Sequence, residues 1–534
     1  MRFRRTTAAP RTTRGVAVLP KVLPNRGVAL FAVLAVLASG CGVASRAQDA
    51  GDRSTSGTTG SNPTKGPAGP VPAGLEKFYE QQPDWERCGS NQQCATITVP
   101  LDYSKPTGET IELRARKVLA RDRAGKVGTL FINPGGPGGS GLDFAASAGF
   151  VLGAQLLRKF DVIGWDPRGV GQSTPVRCLD TAQLDKFIAT DGSPDNEAEI
   201  NELNSVSKTF ANACEQRSGE LLPHVSTKDA ARDIDVLRGI VGDSELYYLG
   251  MSYGTYLGAT YAELFPKNVG RLVLDGAVDP SKTSKQNNMA QAKGFDTALD
   301  AFAEDCAQRS CRLGSTKQEV LAKVDKLIDD SDATPLPGDG KRQVTQALVV
   351  LGVIFPLYVK DFWPRLEDAV LDGLAGNGAR LLALADEYTD REPSGYTSNS
   401  NEAIYAVNCL DRPDISSIAQ AKAEEPEYKA ASPRFGSFLL WGSLACANWP
   451  VKAEDKPHAI KASGAKPIVV IGTTRDPATP YEWAVGLAGQ LESGVLITRD
   501  GDGHTGYKAG NACVDNAVES YLLQGTAPTA DIKC

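Results

Sequence analysis

The pentapeptide Gly250-Met251-Ser252-Tyr253-Gly254 places a serine between two glycines. An apolar run at 246–249 precedes it, and Tyr256, Leu257, Thr260, Tyr261 and Leu264 follow at helical spacing. The pattern reads strand, tight turn, helix, which holds a serine hydroxyl at a strained turn above a sheet edge. The flanking glycines are needed because any side chain there would strike the neighbouring strand and helix. A serine is a weak nucleophile near neutral pH and needs a base, normally a histidine oriented by a carboxylate. The chain has three histidines, His224, His458 and His504. The order Ser, acid, His excludes His224, and His458 lies in a charged, proline-broken run that reads as surface. His504 lies in Asp500-Gly501-Asp502-Gly503-His504-Thr505-Gly506, just after the apolar run 495–498, and is the expected base. The expected acid is Asp476, which follows the buried-strand pattern 467–472. Asp275, at the end of another strand, and Asp502, two residues from the histidine, are the alternatives.

Acyl transfer by such a serine needs preorganised N–H donors for the oxyanion. Leu130-Phe131-Ile132-Asn133-Pro134-Gly135-Gly136-Pro137-Gly138-Gly139-Ser140-Gly141 ends a strand in a loop almost free of side chains, so its backbone can approach a substrate closely. Gly136 and Tyr253, the residue after the nucleophile, are the expected donors. A phosphate-cradling loop is disfavoured because no Gly-Lys-Ser/Thr follows.

The glycine loop, Gly164-Trp165-Asp166-Pro167-Arg168-Gly169-Val170-Gly171-Gln172-Ser173, the serine elbow, and the Asp476 and His504 loops occur in this order. Together they resemble the α/β-hydrolase peptidases related to prolyl aminopeptidase. Within that group the chain is most similar, over residues 75–534, to the secreted tripeptidyl aminopeptidases of actinobacteria, which have a recognised C-terminal (TAP-like) module. Prolyl aminopeptidases place a histidine before the Gly-Gly-Pro-Gly-Gly run, whereas this chain has Pro134, a departure that favours the tripeptidyl branch. The resemblance implies release of short peptides, tripeptides above all, from polypeptides with a free N-terminus, without a cofactor. Such an enzyme must meet the substrate α-ammonium with a carboxylate in or near the lid. Asp411, in a segment resembling one of the related peptidases, is the first candidate and Glu402 the second.

The elements that must position these groups are those of an α/β fold, a mostly parallel central sheet with a helical lid insertion. Residues 94–99 and 110–115 alternate as antiparallel edge strands, while 129–132, 161–165, 246–249 and 272–274 are continuous apolar runs that read as central parallel strands. A capped helix is predicted over 227–237. Arg168 is expected to hold a loop through Asp166. From 281 to 440 the rhythm changes to helical spacing, as at Val320, Val324, Leu327 and at Phe362, Leu366, Ala369. Hydrolases of this class carry a lid there, which excludes water and limits substrate size. Residues 76–280 and 441–534 are then the two parts of the hydrolase core.

The N-terminal part has a different character. Residues 1–40 hold seven Lys or Arg and no acid, ending in an apolar run at 28–38 too short to span a bilayer, the pattern of an export leader. Leu37-Ala38-Ser39-Gly40-Cys41 resembles a lipoprotein box, with Ala38 where leucine is usual, and makes Cys41 the expected lipidated first residue and membrane anchor. Residues 41–75 are rich in Gly, Ser, Thr and Pro and read as a flexible tether spanning on the order of 30 Å. Of the eleven cysteines, ten remain without Cys41, with no Cys-x-x-Cys and almost no nearby histidine. They read as disulfides of an exported protein rather than a metal site. Nearest-neighbour pairing is one of the connectivities the count allows. Removing the seven leader cations takes the formal charge from −7 to −14, which excludes a nucleic-acid partner as the natural reading. Two other functions stay open: an esterase or lipase of the same fold, because a triad does not distinguish ester from amide, and a non-catalytic surface binding protein with a vestigial triad.

Overall fold

The computed structural model describes residues 71–453 and 455–534. The leader, Cys41 and nearly all of the predicted tether lie outside the described residues. Ten strands form one sheet: β1 Glu86–Gly89, β2 Gln92–Pro100, β3 Thr110–Val118, β4 Gly128–Asn133, β5 Phe160–Trp165, β6 Leu246–Met251, β7 Val269–Asp275, β8 Ile468–Arg475, β9 Gly494–Asp502 and β10 Ile532–Lys533. Their spatial order is β1-β2-β3-β5-β4-β6-β7-β8-β9-β10. β1, β2, β3 and β5 pair antiparallel and every later pairing is parallel.

The sequence pattern explains the layering. β4 and β5 are buried at every residue because helices cover both faces, so they carry apolar runs rather than alternation. One face packs Phe131, Ile163, Leu272 and Val470 against helices including Thr227–Ile240 and Tyr253–Leu264. The other packs Ile132, Val162, Val273 and Ile497 against Ala512–Gln524. Ser226 caps Thr227–Ile240 by accepting from Asp229 N.

Between β7 and β8 the described residues form nine helices of four or more residues, from Ser284–Gln308 to Leu444–Ala447. They carry a separate apolar core containing Phe302, Val324, Leu348, Trp363, Leu366 and Leu381. The covering layer also recruits a segment that the sequence assigns to the hydrolase core. Helices Thr181–Ala189 and Glu197–Ser218 leave β5, place Ile188 and Ala189 against the lid core, and bury Ile200 and Leu203 with Leu440 and Trp441. Which layer their apolar faces meet is a tertiary fact.

The predicted Arg168–Asp166 contact is corrected. Arg168 Nε and Nη2 grip Asp233 at 2.8 and 2.7 Å, and Nη1 donates to the carbonyls of Leu101 and His224. Asp166 accepts instead from Ser140 Oγ, Leu142 N and Gln172 N, bracing the glycine loop against the loop after β5.

The ten described cysteines form five bridges, Cys88–Cys94, Cys178–Cys214, Cys306–Cys311, Cys409–Cys446 and Cys513–Cys534. The pair separated by 36 residues ties the segment after β5 to helix Glu197–Ser218, and the pair separated by 37 ties helix Ser400–Asp411 to Leu444–Ala447, each contributing about 4 kcal/mol on a chain-entropy argument.

Candidate active site

Ser252 stands between β6 and helix Tyr253–Leu264 with φ 56° and ψ −126°. A non-glycine residue in that region stores strain, about 1–3 kcal/mol, and persists only where its surroundings over-determine it. Here Ser252 N donates to Asp275 O at 2.9 Å, and Thr255 N and Oγ1 donate to Ser252 O at 2.8 and 2.6 Å. A Cβ on Gly250 would lie 2.3 Å from Gly254 O, so the turn closes only with glycine.

The glycine loop after β4 presses onto this elbow. Gly135 has φ 96°, and a Cβ there would meet Met251 O at 2.5 Å, Ser252 Cβ at 2.9 Å and Tyr253 N at 3.0 Å. Asn133 Oδ1 accepts from Gly135 N at 2.9 Å and fixes the loop's exit. Gly136 and Tyr253, the two expected oxyanion donors, thus lie on the same cavity wall as Ser252. Tyr253 is also the first residue of its helix, where the backbone N–H is free of intrahelical bonding and the helix dipole favours negative charge.

His504 and Asp476 meet from the loops after β9 and β8. His504 Nδ1 lies 2.9 Å from both Asp476 oxygens. The Asp476 carboxylate is itself held by the N–H groups of Ala478, Thr479 and Thr505 at 2.9, 2.8 and 3.1 Å. The lid takes part, since His504 N donates to Tyr358 O at 2.8 Å and the Tyr358 ring stands edge-on to the imidazole at 5.4 Å. His504 Nε2 is buried and has no hydrogen-bond partner among the described residues. The Nδ1 proton therefore points to Asp476, and Nε2 keeps its lone pair.

Of the two alternative acids, neither faces the imidazole nitrogens. Asp275 accepts from Gly506 N and Tyr507 N at 2.7 and 2.8 Å, and burial pushes it up to about 6. Asp502 pairs with Arg475 and Lys360.

Burial opposes charging His504, but the charge and hydrogen bond of Asp476, with Asp275 behind, outweigh it and hold the imidazole above its ordinary value. A general base works only when neutral. kcat/KM is therefore expected to fall on the acid side with a one-proton limb whose midpoint lies above about 6.5. A pH–rate profile on any turned-over substrate checks this, and a limb centred below that value would contradict it.

Ser252, Gly136 and Tyr253 open into a cavity of about 510 Å³ roofed by the covering helices, with Phe187, Leu351 and Trp441 among its walls. The two carboxylates expected to meet a substrate ammonium do not line it. Asp411 is buried, accepting from Thr227 N at 2.8 Å and from Thr227 Oγ1, whose hydroxyl also contacts Tyr253 OH. Burial pushes Asp411 up to about 6. Glu402 accepts from Cys178 N and Leu179 N, both at 2.8 Å, and clamps the segment after β5. The carboxylate on the cavity wall is Asp414, three residues past Asp411 and beyond Pro413, with Arg412 beside it. Burial raises the Asp414 pKa. The proline ending the helix is the signal that separates Asp414 from Asp411: it turns the chain, and the acid after the turn faces the cavity.

Among the described residues, the cluster with metal-ligand atoms, Cys306, Cys311 and Glu367, has both sulfurs in a disulfide and thus no thiolate to offer. No described helix is long and apolar enough to cross a membrane.

The sheet order, the serine elbow and the strand-end loops define the α/β-hydrolase class. A family model described as alpha/beta hydrolase fold matches residues 128–325, and one described as TAP-like protein matches residues 432–534. The chain is 36% identical over 476 residues to serine protease Hip1 of Mycobacterium tuberculosis, covering 85% of this chain and 91% of that protein. It is 34% identical over 466 residues to tripeptidyl aminopeptidase of Streptomyces coelicolor, covering 84% and 85%. It is also 36% identical over 454 residues to carboxylesterase B of M. tuberculosis, covering 83% and 86%. Among solved structures, a thermophilic esterase from Thermogutta terrifontis aligns with a TM-score of 0.36 at 12% identity, covering 80% of this chain and 97% of that one. The chain belongs to the α/β-hydrolase family with a TAP-like C-terminal part, alongside these mycobacterial and streptomycete proteins.

Proposed function

We propose that the protein is a serine exopeptidase that releases short peptides, tripeptides above all, from polypeptides with a free N-terminus. The observation that carries this reading is a roofed cavity holding Ser252 and a single carboxylate, Asp414, among its described lining. Ser252 Oγ attacks the scissile carbonyl while His504 Nε2 takes its proton, and the oxyanion is held by Gly136 N and Tyr253 N. Collapse expels the amine with the proton returned by His504, and water then repeats the cycle on the acyl-enzyme. Asp476 keeps Nδ1 protonated throughout. Asp411 acts through Thr227 on Tyr253 rather than on substrate, and the α-ammonium is met by Asp414. Glu402 braces the covering layer.

The surrounding organisation follows the same reading: an export leader over 1–40, a tether over 41–75, hydrolase parts over 76–280 and 441–534, and a lid over 281–440. Disulfides fit an oxidising compartment, and Cys41 is the proposed lipid anchor. The triad asks for neither metal nor cofactor.

An esterase is the second reading, favoured by the likeness to carboxylesterase B. The two separate on a chromogenic tripeptide amide with a free N-terminus, its N-acetylated twin and a short-chain ester. Cleavage of the free-amine peptide but not the acetylated one is expected. Asp414→Asn should raise KM for that peptide by about 10- to 100-fold, the loss of one charge-assisted hydrogen bond. Turnover of the ester alone would end the peptidase reading.

A further inference from the structure

Arg412 lies on the wall of the same cavity as Ser252. Its guanidinium carbon sits 4.5 Å from the centroid of the Tyr256 ring, which also lines the cavity. Nε and Nη2 are buried, and neither has a hydrogen-bond partner among the described residues. These two nitrogens form the side-on fork that matches a carboxylate. Elsewhere in this protein the same fork is used in that way: Arg168 on Asp233, Arg391 on Asp185 and Arg434 on Asp325 each bind one carboxylate through Nε and Nη2. The acids near Arg412 are committed otherwise. Asp411 is taken by Thr227, Asp455 by Lys228, and Asp414 Oδ1 by the backbone N–H of Ile415. Two buried N–H groups without an acceptor are costly, and such groups persist at sites where a ligand completes them.

We propose that Arg412 receives a carboxylate of the bound substrate through Nε and Nη2, making the enzyme selective for an anionic group within the segment held in the cavity. This rests on the reading that the cavity beside Ser252 is the substrate site. The carboxylate has two sources, an acidic side chain in the released segment or the free C-terminus of a short peptide. With Asp414 on the same wall, the cavity offers one group for an ammonium and one for a carboxylate.

The test compares substrates that differ only in that group. Chromogenic tripeptide amides with Glu or Gln at each of the three positions probe the side-chain source. Tetrapeptides ending in a free acid or an amide probe the C-terminus. The 4-nitrophenyl esters of glutarate half-acid and butyrate probe the fork independently of peptidase activity. The expected result is at least a tenfold higher kcat/KM for the carboxylate member of one pair, expressed mainly in KM. Arg412→Gln should collapse that ratio toward one, and Arg412→Glu should reverse it toward a Lys-containing substrate. Ratios near one in every pair with the unmodified protein would overturn the inference whatever the variants do. Peptide cleavage without carboxylate preference would leave the peptidase reading standing, whereas ester cleavage alone with a glutarate preference would end that reading and keep Arg412.

Discussion

Ser252→Ala and His504→Ala are each expected to lower kcat by about 10⁵- to 10⁶-fold, and the double variant to fall no further than the worse single one. The reason is that the two groups perform one act. Without an acceptor at Nε2 the hydroxyl of Ser252 has nowhere to send its proton, and without the hydroxyl the base has nothing to activate. What remains in either variant is the binding cavity and the two backbone donors, worth about 10³–10⁴-fold over water. Asp476 occupies Nδ1 and leaves Nε2, which has no hydrogen-bond partner among the described residues, as the nitrogen open to that proton. Steady-state kinetics on the purified protein decide it. Losses that multiply in the double variant would mean that the two residues act independently and that the shared proton transfer is wrong.

The candidate site was legible in the sequence because each of its three side chains sits one or two residues past a strand end. Ser252, Asp476 and His504 follow β6, β8 and β9, and each strand announces itself by an apolar run that both covered faces of the sheet require. Local rules sufficed there, including the glycines that the close contacts around Gly135 and Gly250 demand. Where the partner is distant in sequence, the local rules failed. Arg168 lies two residues from Asp166, yet it grips Asp233, 65 residues on, because the strand end and the helix Thr227–Ile240 meet only in the folded sheet. Asp411 is adjacent to the disulfide-bonded segment and looked presented, but the helix Ser400–Asp411 turns it toward Thr227 and buries it. The cavity side belongs to Arg412 and Asp414, whose positions depend on the chain turning at Pro413. The covering role of Thr181–Ala189 is of the same kind: amphipathic spacing predicts that one helix face is buried and says nothing of what buries it.

Asp476→Asn should cost about 10⁴-fold in kcat and about 1–3 kcal/mol of stability, since the amide NH₂ leaves Thr505 N without its acceptor, and the larger effect lies in how the carboxylate is gripped. Asp476 Oδ1 accepts from Ala478 N and Thr479 N, so an asparagine keeps its carbonyl oxygen there and turns its NH₂ toward His504 Nδ1. The imidazole must then accept at Nδ1, which protonates Nε2 and removes the base. The charge that raises His504 disappears in the same step, while burial, which lowers it, stays. The acid limb of the residual activity is therefore expected to move to lower pH. Asp275→Asn is the control, because Asp275 holds Gly506 N and Tyr507 N and not the imidazole nitrogens. It should lower kcat by only about 10- to 100-fold and stability by about 1–3 kcal/mol, as one of the two N–H groups loses its acceptor. Its acid limb should stay near that of the parent, since the Asp476 pair that dominates the upward shift is retained. A loss on Asp275→Asn equal to that on Asp476→Asn, with both limbs displaced alike, would transfer the orienting role to Asp275 and make the strand-end acid after β7 the working member of the triad.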